Sequence, residues 1–141
     1  MKPINILLVE DDQLDVMEIR RTLDKANIIY QMMTARNGEE ALTLLADRGG
    51  SGIEELPDIL LIDINMPKMD GFELIEAIRK QEEWKHLKCF IITTSNERVD
   101  RKAAEKLGVS GYITKPLKLN SPTSMDAFNL IIDLMNFKSK E

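Results

Sequence analysis

The fold is decided by the stretch Pro57-Asp58-Ile59-Leu60-Leu61-Ile62-Asp63-Ile64-Asn65-Met66-Pro67-Lys68-Met69-Asp70-Gly71. Its four consecutive apolar residues, 59–62, predict a strand buried on both faces, as in a parallel sheet. Pro67 and the pair Asp70-Gly71 predict a loop after that strand. Ligands of open parallel sheets bind outside the carboxyl ends of the strands, so Asp63 is a candidate functional residue. An aspartate that only caps a turn would fit this stretch equally well.

The rest of the chain alternates between strand and helix patterns. Apolar runs predict five strands, at residues 4–9, 30–34, 59–62, 88–93 and 111–113. Apolar residues at helical spacing predict a helix after each strand, at residues 16–26, 41–45, 72–81, 99–107 and 125–137. The glycine-rich segment 49–52 predicts a loop after the second helix. This alternation predicts an α/β fold with a three-layer, doubly wound, five-stranded parallel sheet.

Composition narrows the class of protein. The 141 residues are 43% hydrophobic and 30% charged, which is typical of one soluble globular domain. The formal net charge of −5 provides no basic surface for nucleic acid. The single cysteine, Cys89, cannot form an internal disulfide and is expected to be a buried, reduced thiol in the cytoplasm. No apolar segment is long enough to cross a membrane, and the first residues do not form a signal peptide.

Polar residues follow four of the five predicted strands. Glu10-Asp11-Asp12 follows the first strand, Asp63 the third, Thr93-Thr94 the fourth and Lys115 the fifth. All of them leave the same edge of a parallel sheet, so acids, a hydroxyl and an amine are expected to meet there. Two carboxylates about 4 Å apart repel by about 4 kcal/mol at an effective dielectric constant of about 20, so the cluster needs a proton or a cation. Mg²⁺ suits such a shallow oxygen site.

Asp12 has two interpretations that the residues leave open. It could be a metal ligand beside Glu10 and Asp11, or the N-terminal cap of the first helix with Asp15 in the first turn.

Four motifs stand in order at the ends of predicted strands: Leu8-Val9-Glu10-Asp11-Asp12, Asp63-Ile64-Asn65-Met66-Pro67-Lys68-Met69-Asp70-Gly71, Thr93-Thr94-Ser95 and Lys115-Pro116. Together they resemble the receiver domain of two-component response regulators, over about residues 4–137. The resemblance implies a flavodoxin-like sheet with strand order 2-1-3-4-5. It also implies that residues 1–141 are a single receiver domain without an output domain. Such a protein is not an enzyme beyond its own phosphorylation and dephosphorylation.

The resemblance implies a role for each acidic residue. Asp63 matches the phosphoacceptor, whose carboxylate takes a phosphoryl group from a phosphohistidine and becomes an aspartyl phosphate. Glu10 and Asp11 match the acidic pair that binds Mg²⁺ together with Asp63, with Asp11 as the direct ligand and Glu10 acting through water. Asn65 matches the residue whose backbone carbonyl binds the same ion.

The resemblance also implies a switch around the phosphoryl group. Lys115 matches the lysine that pairs with the phosphoryl oxygens, Thr93 the hydroxyl that moves to bind them, and Tyr112 the aromatic residue that turns inward with Thr93. Asn65, through its side chain, and Ser95 match the two positions that tune the lifetime of the phosphoryl group. Pro116 matches a proline with a cis peptide bond that orients the lysine.

From the residues alone, plainer interpretations stay open. Lys115 could be a solvated lysine at a strand end, and Tyr112 a half-buried strand residue. Thr93 could be an ordinary β-branched strand residue, with Thr94 as the hydroxyl of the site. The only histidine, His86, lies in a loop at the far edge and is not expected to take part.

The expected partners are proteins. The resemblance implies a sensor histidine kinase or phosphotransfer protein as the phosphoryl donor and a downstream protein target, in the cytoplasm. A weaker likeness, based on length and the apolar last helix, connects the chain with stand-alone receivers that serve phytochrome-like kinases. In the last helix, we predict that one apolar face packs on the sheet and the other forms a homodimer or partner surface with Tyr112. The first face contains Phe128, Ile131, Ile132 and Met135, and the second Leu130, Leu134 and Phe137.

Three other functions share parts of this pattern. A flavodoxin-like redox protein needs a phosphate-binding loop after the first strand, where Glu10-Asp11-Asp12 would repel phosphate. A haloacid-dehalogenase-type phosphatase needs an acid two residues after its nucleophile, where Asn65 stands. The third alternative is a phosphorylation-independent receiver-like adaptor, against which the intact set of Asp63, Asp11, Thr93 and Lys115 argues.

Overall fold

A computed structural model of the chain describes residues 3–47, 55–119 and 124–139. Strands and helices alternate through it as predicted. The strands are β1 (Ile4–Val9), β2 (Tyr30–Ala35), β3 (Ile59–Ile62), β4 (Lys88–Thr93) and β5 (Gly111–Thr114). The helices are α1 (Gln13–Lys25), α2 (Gly38–Ala46), α3 (Gly71–Arg79), α4 (Arg98–Lys106) and α5 (Met125–Ser139). The predicted glycine-rich loop at 49–52 lies outside the described residues.

The five strands form one parallel sheet in the order β2-β1-β3-β4-β5, which confirms the predicted fold class and strand order. In the register of the sheet, Ile62 pairs with Val9 on one side and Ile91 on the other. The residues that follow β1, β3 and β4 therefore emerge next to one another at the carboxyl edge.

Two hydrophobic cores cover the two faces of the sheet. In β3, Leu60 and Ile62 pack with α2 and α3, whereas Ile59 and Leu61 pack with α1 and α5. All four β3 side chains are completely buried, as the run of apolar residues predicted. Burying each of them contributes about 1.5–3 kcal/mol. The central strand is therefore a rigid support for the residue that follows it.

The prediction for the faces of α5 is wrong, although Ile131 is half-buried and packs against the core as predicted. Leu130 and Leu134, expected on an exposed second stripe, are buried in the core beside α1, and Tyr112 is also buried. Asp126, in the first turn of α5, accepts a hydrogen bond from the Tyr112 N–H at 2.7 Å, which ties the start of α5 to β5. That tie helps to fix the rotation of the helix. Met135, expected on the packed face, is 58% exposed. The side chains of Phe128, Ile132 and Phe137 lie outside the described part of the chain.

At the amino edge of the sheet, Arg79 connects two loops. Its guanidinium donates to the carbonyl oxygens of Leu107 and Gly108 after α4, both at 3.0 Å, and of Lys85 and Leu87 before β4, at 3.1 and 2.9 Å. Gly108 has a φ of 70°, a left-handed conformation that glycine adopts without strain. Arg79 therefore satisfies four backbone acceptors that belong to no regular element.

The described residues contain no helix that is both long and apolar enough to span a bilayer.

Candidate functional site

Asp63 stands at the carboxyl end of β3, at the centre of the sheet. Its backbone N–H donates to the Val9 carbonyl at 3.0 Å, and its Oδ1 accepts from the Asn65 N–H at 3.3 Å. The residue is only 7% exposed, so its carboxylate is recessed and still reachable from solvent.

Gly71 allows the chain to pass close behind Asp63. A Cβ atom at Gly71 would lie 2.5 Å from the Asp63 carbonyl oxygen and 2.9 Å from the Ile64 Cα. The Gly71 N–H also donates to the Ile64 carbonyl at 3.0 Å. A larger residue at the start of α3 would push this backbone away, so the motif that ends in Asp70-Gly71 positions the aspartate.

Three acids meet at this edge. Glu10, Asp11 and Asp63 each offer a carboxylate oxygen, and these oxygens lie within 4.8 Å of one another. Glu10 is 2% exposed and Asp63 recessed, whereas Asp11 is exposed. A donor set of carboxylate oxygens with one open side fits a small, hard divalent cation that keeps part of its water shell.

Asp12 has a different place. It is the N-cap of α1, and its Oδ1 accepts from the Leu14 N–H at 2.9 Å and the Asp15 N–H at 3.4 Å. Among the described residues, the acidic group that could hold a metal contains Glu10, Asp11 and Asp63 and leaves Asp12 out. The structure thus supports the helix-cap interpretation of Asp12.

Lys115 reaches into this acidic cluster from the end of β5. Its ammonium donates to Glu10 Oε1 at 2.7 Å, to Asp15 Oδ2 at 2.7 Å and to Asp63 Oδ2 at 3.3 Å. Its backbone N–H donates to the Thr93 carbonyl at 2.7 Å, and the Lys115–Pro116 peptide bond is cis. The lysine side chain is 11% exposed, so this is a partly buried cation with three anionic partners.

Burial and charge shift the titration of two groups here. Burial of Glu10, reinforced by the nearby Asp63 carboxylate, raises the pKa of Glu10 to about 7 against the opposing effect of Lys115. Burial alone would lower the pKa of Lys115, but its hydrogen bonds to Asp15 and Glu10 more than offset this and raise the pKa above its ordinary value. Lys115 is therefore charged at neutral pH, while Glu10 titrates near neutrality.

Thr93 is fully buried at the end of β4. Its Oγ1 accepts from the Ser95 N–H at 3.4 Å, and within the described residues no hydrogen bond joins this hydroxyl to Asp63. Ser95 Oγ donates to the Asp100 carboxylate on α4. Thr93 and Ser95 are thus linked to each other and to the start of α4.

Tyr112 is held inward, with 4% exposure. Its hydroxyl donates to the Ser95 carbonyl at 2.9 Å, and the Arg101 guanidinium carbon lies 4.7 Å from the centre of its ring, at cation–π distance. Arg101 also donates to Thr114 Oγ1 at 3.3 Å. The tyrosine therefore connects α4, β5 and the loop after β4.

Sequence reasoning missed the part that Asp15 takes in this arrangement. From the sequence, Asp15 was interpreted only as an acid in the first turn of α1, where its negative charge interacts favourably with the helix dipole. A signal was present, because Asp15 lies in the first turn of the helix that begins directly after Glu10, Asp11 and Asp12, close to the same edge of the sheet. The contacts of Asp126 and Arg101 with Tyr112 had no comparable signal.

Known proteins resemble this chain in sequence and structure. Residues 6–125 match the response regulator receiver domain family. The response regulator Rcp1 of Synechocystis is 30% identical over 135 residues, which cover 96% of this chain and 88% of Rcp1. The phosphorylated cyanobacterial phytochrome response regulator RcpA has a TM-score of 0.74 and 28% identity, covering 97% of this chain and 92% of the other. The Mn²⁺-bound form of Rcp1 has a TM-score of 0.72 and 28% identity, covering 98% and 96%.

The chain belongs to the response regulator receiver domain family. It is a response regulator of two-component signalling, with the flavodoxin-like fold of that family. Receiver domains are signalling domains that receive phosphoryl groups from histidine kinases, and they bind a divalent metal ion.

Proposed function

We propose that Asp63 accepts the phosphoryl group, with Mg²⁺ held by Glu10, Asp11 and Asp63 and by the backbone carbonyl of Asn65. The observation that carries this proposal is the meeting of three acids and one lysine at a single strand edge. Their carboxylate oxygens lie within 4.8 Å, and the Lys115 ammonium lies 3.3 Å from Asp63 Oδ2. This arrangement offers both a nucleophile and the positive charge that phosphoryl transfer requires.

The transfer conserves atoms and charge. A carboxylate oxygen of Asp63 forms a bond to phosphorus as the bond between phosphorus and the donor's imidazole nitrogen breaks, and the electron pair stays on that nitrogen. When bound, Mg²⁺ supplies positive charge to the phosphoryl oxygens and to the acids. Lys115 stabilises the charge that builds up on the same oxygens. Crystals of Rcp1 with Mn²⁺ support a divalent ion in a closely similar fold.

The switch that follows is proposed to run through Thr93 and Tyr112. The phosphoryl group adds about two negative charges beside Lys115 and gives the Thr93 hydroxyl a stronger acceptor. Thr93 accepts from the Ser95 N–H, and Tyr112 donates to the Ser95 carbonyl. A movement of Thr93 therefore displaces the loop that holds Tyr112. This displacement favours one of two arrangements of α4 and β5.

Two residues are proposed to set the phosphoryl lifetime. Asn65 and Ser95 each follow a site residue by two positions, and both contact it through a backbone N–H, at 3.3 Å to Asp63 and 3.4 Å to Thr93. Their side chains are proposed to control the access of water to the phosphoryl group. Pro116 serves the site structurally, by setting the direction of the chain after Lys115.

The proposed partners are a sensor histidine kinase or phosphotransfer protein and a downstream protein target in the cytoplasm. The similarity to the phytochrome response regulator RcpA supports a phytochrome-like kinase as the donor. We propose that residues 1–141 work as one receiver domain that signals through protein contacts. A homodimer through α5 would have to use residues other than Leu130 and Leu134, because both are in the core.

The test is incubation with acetyl phosphate and Mg²⁺, followed by intact-mass measurement. Wild-type protein is expected to gain the mass of one phosphoryl group, and Asp63→Asn is expected to gain none because it lacks the nucleophile. Omitting Mg²⁺ is expected to suppress the gain in wild type. Asp58→Asn is the matched control, because Asp58 lies at the opposite end of β3 and accepts from the Asn5 N–H at 2.8 Å.

An unmodified wild-type protein, or an equal gain of mass by Asp63→Asn, would contradict the proposal. The first result would favour the alternative function, a phosphorylation-independent receiver-like adaptor.

A further inference from the structure

The strongest contact of Lys115 that the proposed function does not use is with Asp15. An ammonium has three N–H donors, and in this structure Glu10, Asp15 and Asp63 take all three. The bonds to Glu10 and Asp15 are 2.7 Å long, shorter than the 3.3 Å to Asp63. Phosphorylation of Asp63 frees only the donor with the longest of the three bonds, while Glu10 and Asp15 still hold the ammonium away from the phosphoryl group. Lys115 can therefore approach a phosphoryl oxygen closely only if its hydrogen bond to Glu10 or Asp15 weakens.

Burial indicates which carboxylate loses its hydrogen bond to Lys115 more easily. The side chain of Glu10 is 2% exposed, so water cannot replace the lysine there, whereas that of Asp15 is 34% exposed and can be rehydrated. Asp15 also lies outside the acidic group that could hold a metal. Asp15 and Lys115 both line a cavity of about 290 Å³, which leaves room for their side chains to separate.

We propose that Asp15 is a positioning residue that competes with the phosphoryl group for Lys115 and so weakens the phosphorylated form. The inference rests on the proposed function of Asp63 and Lys115. Asp15 holds the ammonium in its resting position, and its negative charge also opposes the charge of the incoming group. The phosphorylated state is thereby kept easier to reverse.

Asp15 is not needed to place Lys115 in the site. The backbone of Lys115 is fixed by its 2.7 Å hydrogen bond to the Thr93 carbonyl, and Glu10 holds the ammonium at 2.7 Å. Removing the Asp15 charge therefore leaves the lysine in the site with one competitor fewer. We expect a gain in affinity for a phosphoryl mimic, an outcome that structural damage would not produce.

The experiment is a titration of the full chain with beryllium fluoride at saturating Mg²⁺. Binding is followed by the NMR signal of the Asn65 amide, whose N–H lies 3.3 Å from Asp63 Oδ1. Asp15→Asn is expected to lower the half-saturating concentration by about threefold to tenfold, because a partly exposed charge-assisted hydrogen bond no longer competes. Asp15→Glu keeps the charge and is expected to stay close to wild type.

Glu18→Gln is the matched control. Glu18 lies on the same helix, lines the same cavity and pairs with Arg21 at 3.0 Å rather than with Lys115. It removes the same charge, so it measures the long-range electrostatic effect alone, and its half-saturating concentration is expected to stay close to wild type.

Each outcome separates the two proposals. If Asp15→Asn binds no tighter than Glu18→Gln, or binds more weakly than wild type, the competition proposal is wrong while the role of Asp63 stands. If wild type does not respond to beryllium fluoride at all, the proposed function itself fails.

Discussion

Two cations hold the two edges of the sheet in different ways. At the amino edge, Arg79 donates to four backbone carbonyls, at 2.9–3.1 Å, in the loops before β4 and after α4. At the carboxyl edge, Lys115 donates to three carboxylates, two at 2.7 Å and one at 3.3 Å. The first cation is surrounded by neutral acceptors of the main chain and the second by anions on side chains.

The difference shows which edge can change state. A guanidinium has a rigid fork of donors, and the main-chain carbonyls that Arg79 binds carry no net charge. An ammonium is a point charge on a flexible side chain. Its carboxylate partners can instead bind a divalent cation or, for Asp63, be phosphorylated. We therefore interpret Arg79 as a fixed connection within the fold and Lys115 as an exchangeable one.

The largest expected effect is on stability, at Arg79. Arg79→Met removes the hydrogen bonds of four carbonyls in two loops, and we expect a loss of about 3–4 kcal/mol in the free energy of unfolding. Urea unfolding followed by circular dichroism measures this loss. Mg²⁺ is not expected to restore it, because the carbonyls are neutral and far from the acids.

Two variants check that the loss comes from the carbonyl contacts. Arg79→Lys keeps the charge with fewer donors and is expected to lose about half as much stability as Arg79→Met. Arg98→Met removes an exposed arginine at the start of α4 and is expected to change stability by less than about 0.5 kcal/mol. If Arg79→Met lost little unfolding free energy, the contacts of Arg79 would not be a fixed connection of the fold, and the contrast with Lys115 would be wrong.

The next effect is on phosphoryl transfer, at Lys115. Lys115→Met removes a positioned cation from the developing charge, and we expect phosphorylation by acetyl phosphate to slow by about 100-fold, or about 2.7 kcal/mol. Intact-mass measurement over time gives the rate. The metal-free variant should also be less stable than wild type, since Glu10 and Asp63 lose their shared cation.

Metal rescue separates this variant from Arg79→Met. Mg²⁺ is expected to return the unfolding free energy of Lys115→Met to within about 1 kcal/mol of wild type, because it neutralises the same acids, while the transfer rate stays low. If Mg²⁺ rescues Arg79→Met equally well, the edges do not differ in the way proposed here.

Much of the fold was predictable because local patterns and the rules of parallel sheets agree. The four apolar residues of β3 predicted a strand buried on both faces, and the structure buries all of them. The strand order followed from the family resemblance. The orientation of α5 was predicted wrongly, because apolar residues lie on more than one face and the tie between Asp126 and the Tyr112 N–H joins residues fourteen positions apart.

The site was predictable at strand ends and less so elsewhere. Glu10, Asp63 and Lys115 each follow a strand, and the sheet brings them together without further information. Asp15 lies on a helix, and its contact with Lys115 depends on how α1 packs against the sheet. Propensity and spacing do not determine that packing, so a side chain that reaches the site from a helix is harder to find.

The smallest expected effect is the contribution of Glu10 to the pH dependence of the unfolding free energy. Burial raises the pKa of Glu10 to about 7 in the folded chain, above its ordinary value near 4.5. A raised acid pKa contributes stability that is fully present below the unfolded pKa and is lost as pH rises through the folded pKa. Metal-free protein should therefore lose on the order of 2 kcal/mol of unfolding free energy between about pH 4.5 and pH 8 through Glu10. Lys115 stays protonated in this range and adds no slope.

Saturating Mg²⁺ is expected to remove most of this loss, since a bound cation favours the ionised form of Glu10. Urea unfolding at pH 5, 6, 7 and 8, in EDTA and in Mg²⁺, measures both slopes. Glu10→Gln cannot ionise and should show a flatter metal-free profile, whereas Glu18→Gln, on the exposed side of α1, should keep the wild-type slope. A metal-free stability that stays flat through this window would mean that Lys115 holds Glu10 ionised throughout. In that case the carboxyl edge would be as fixed as the contacts of Arg79.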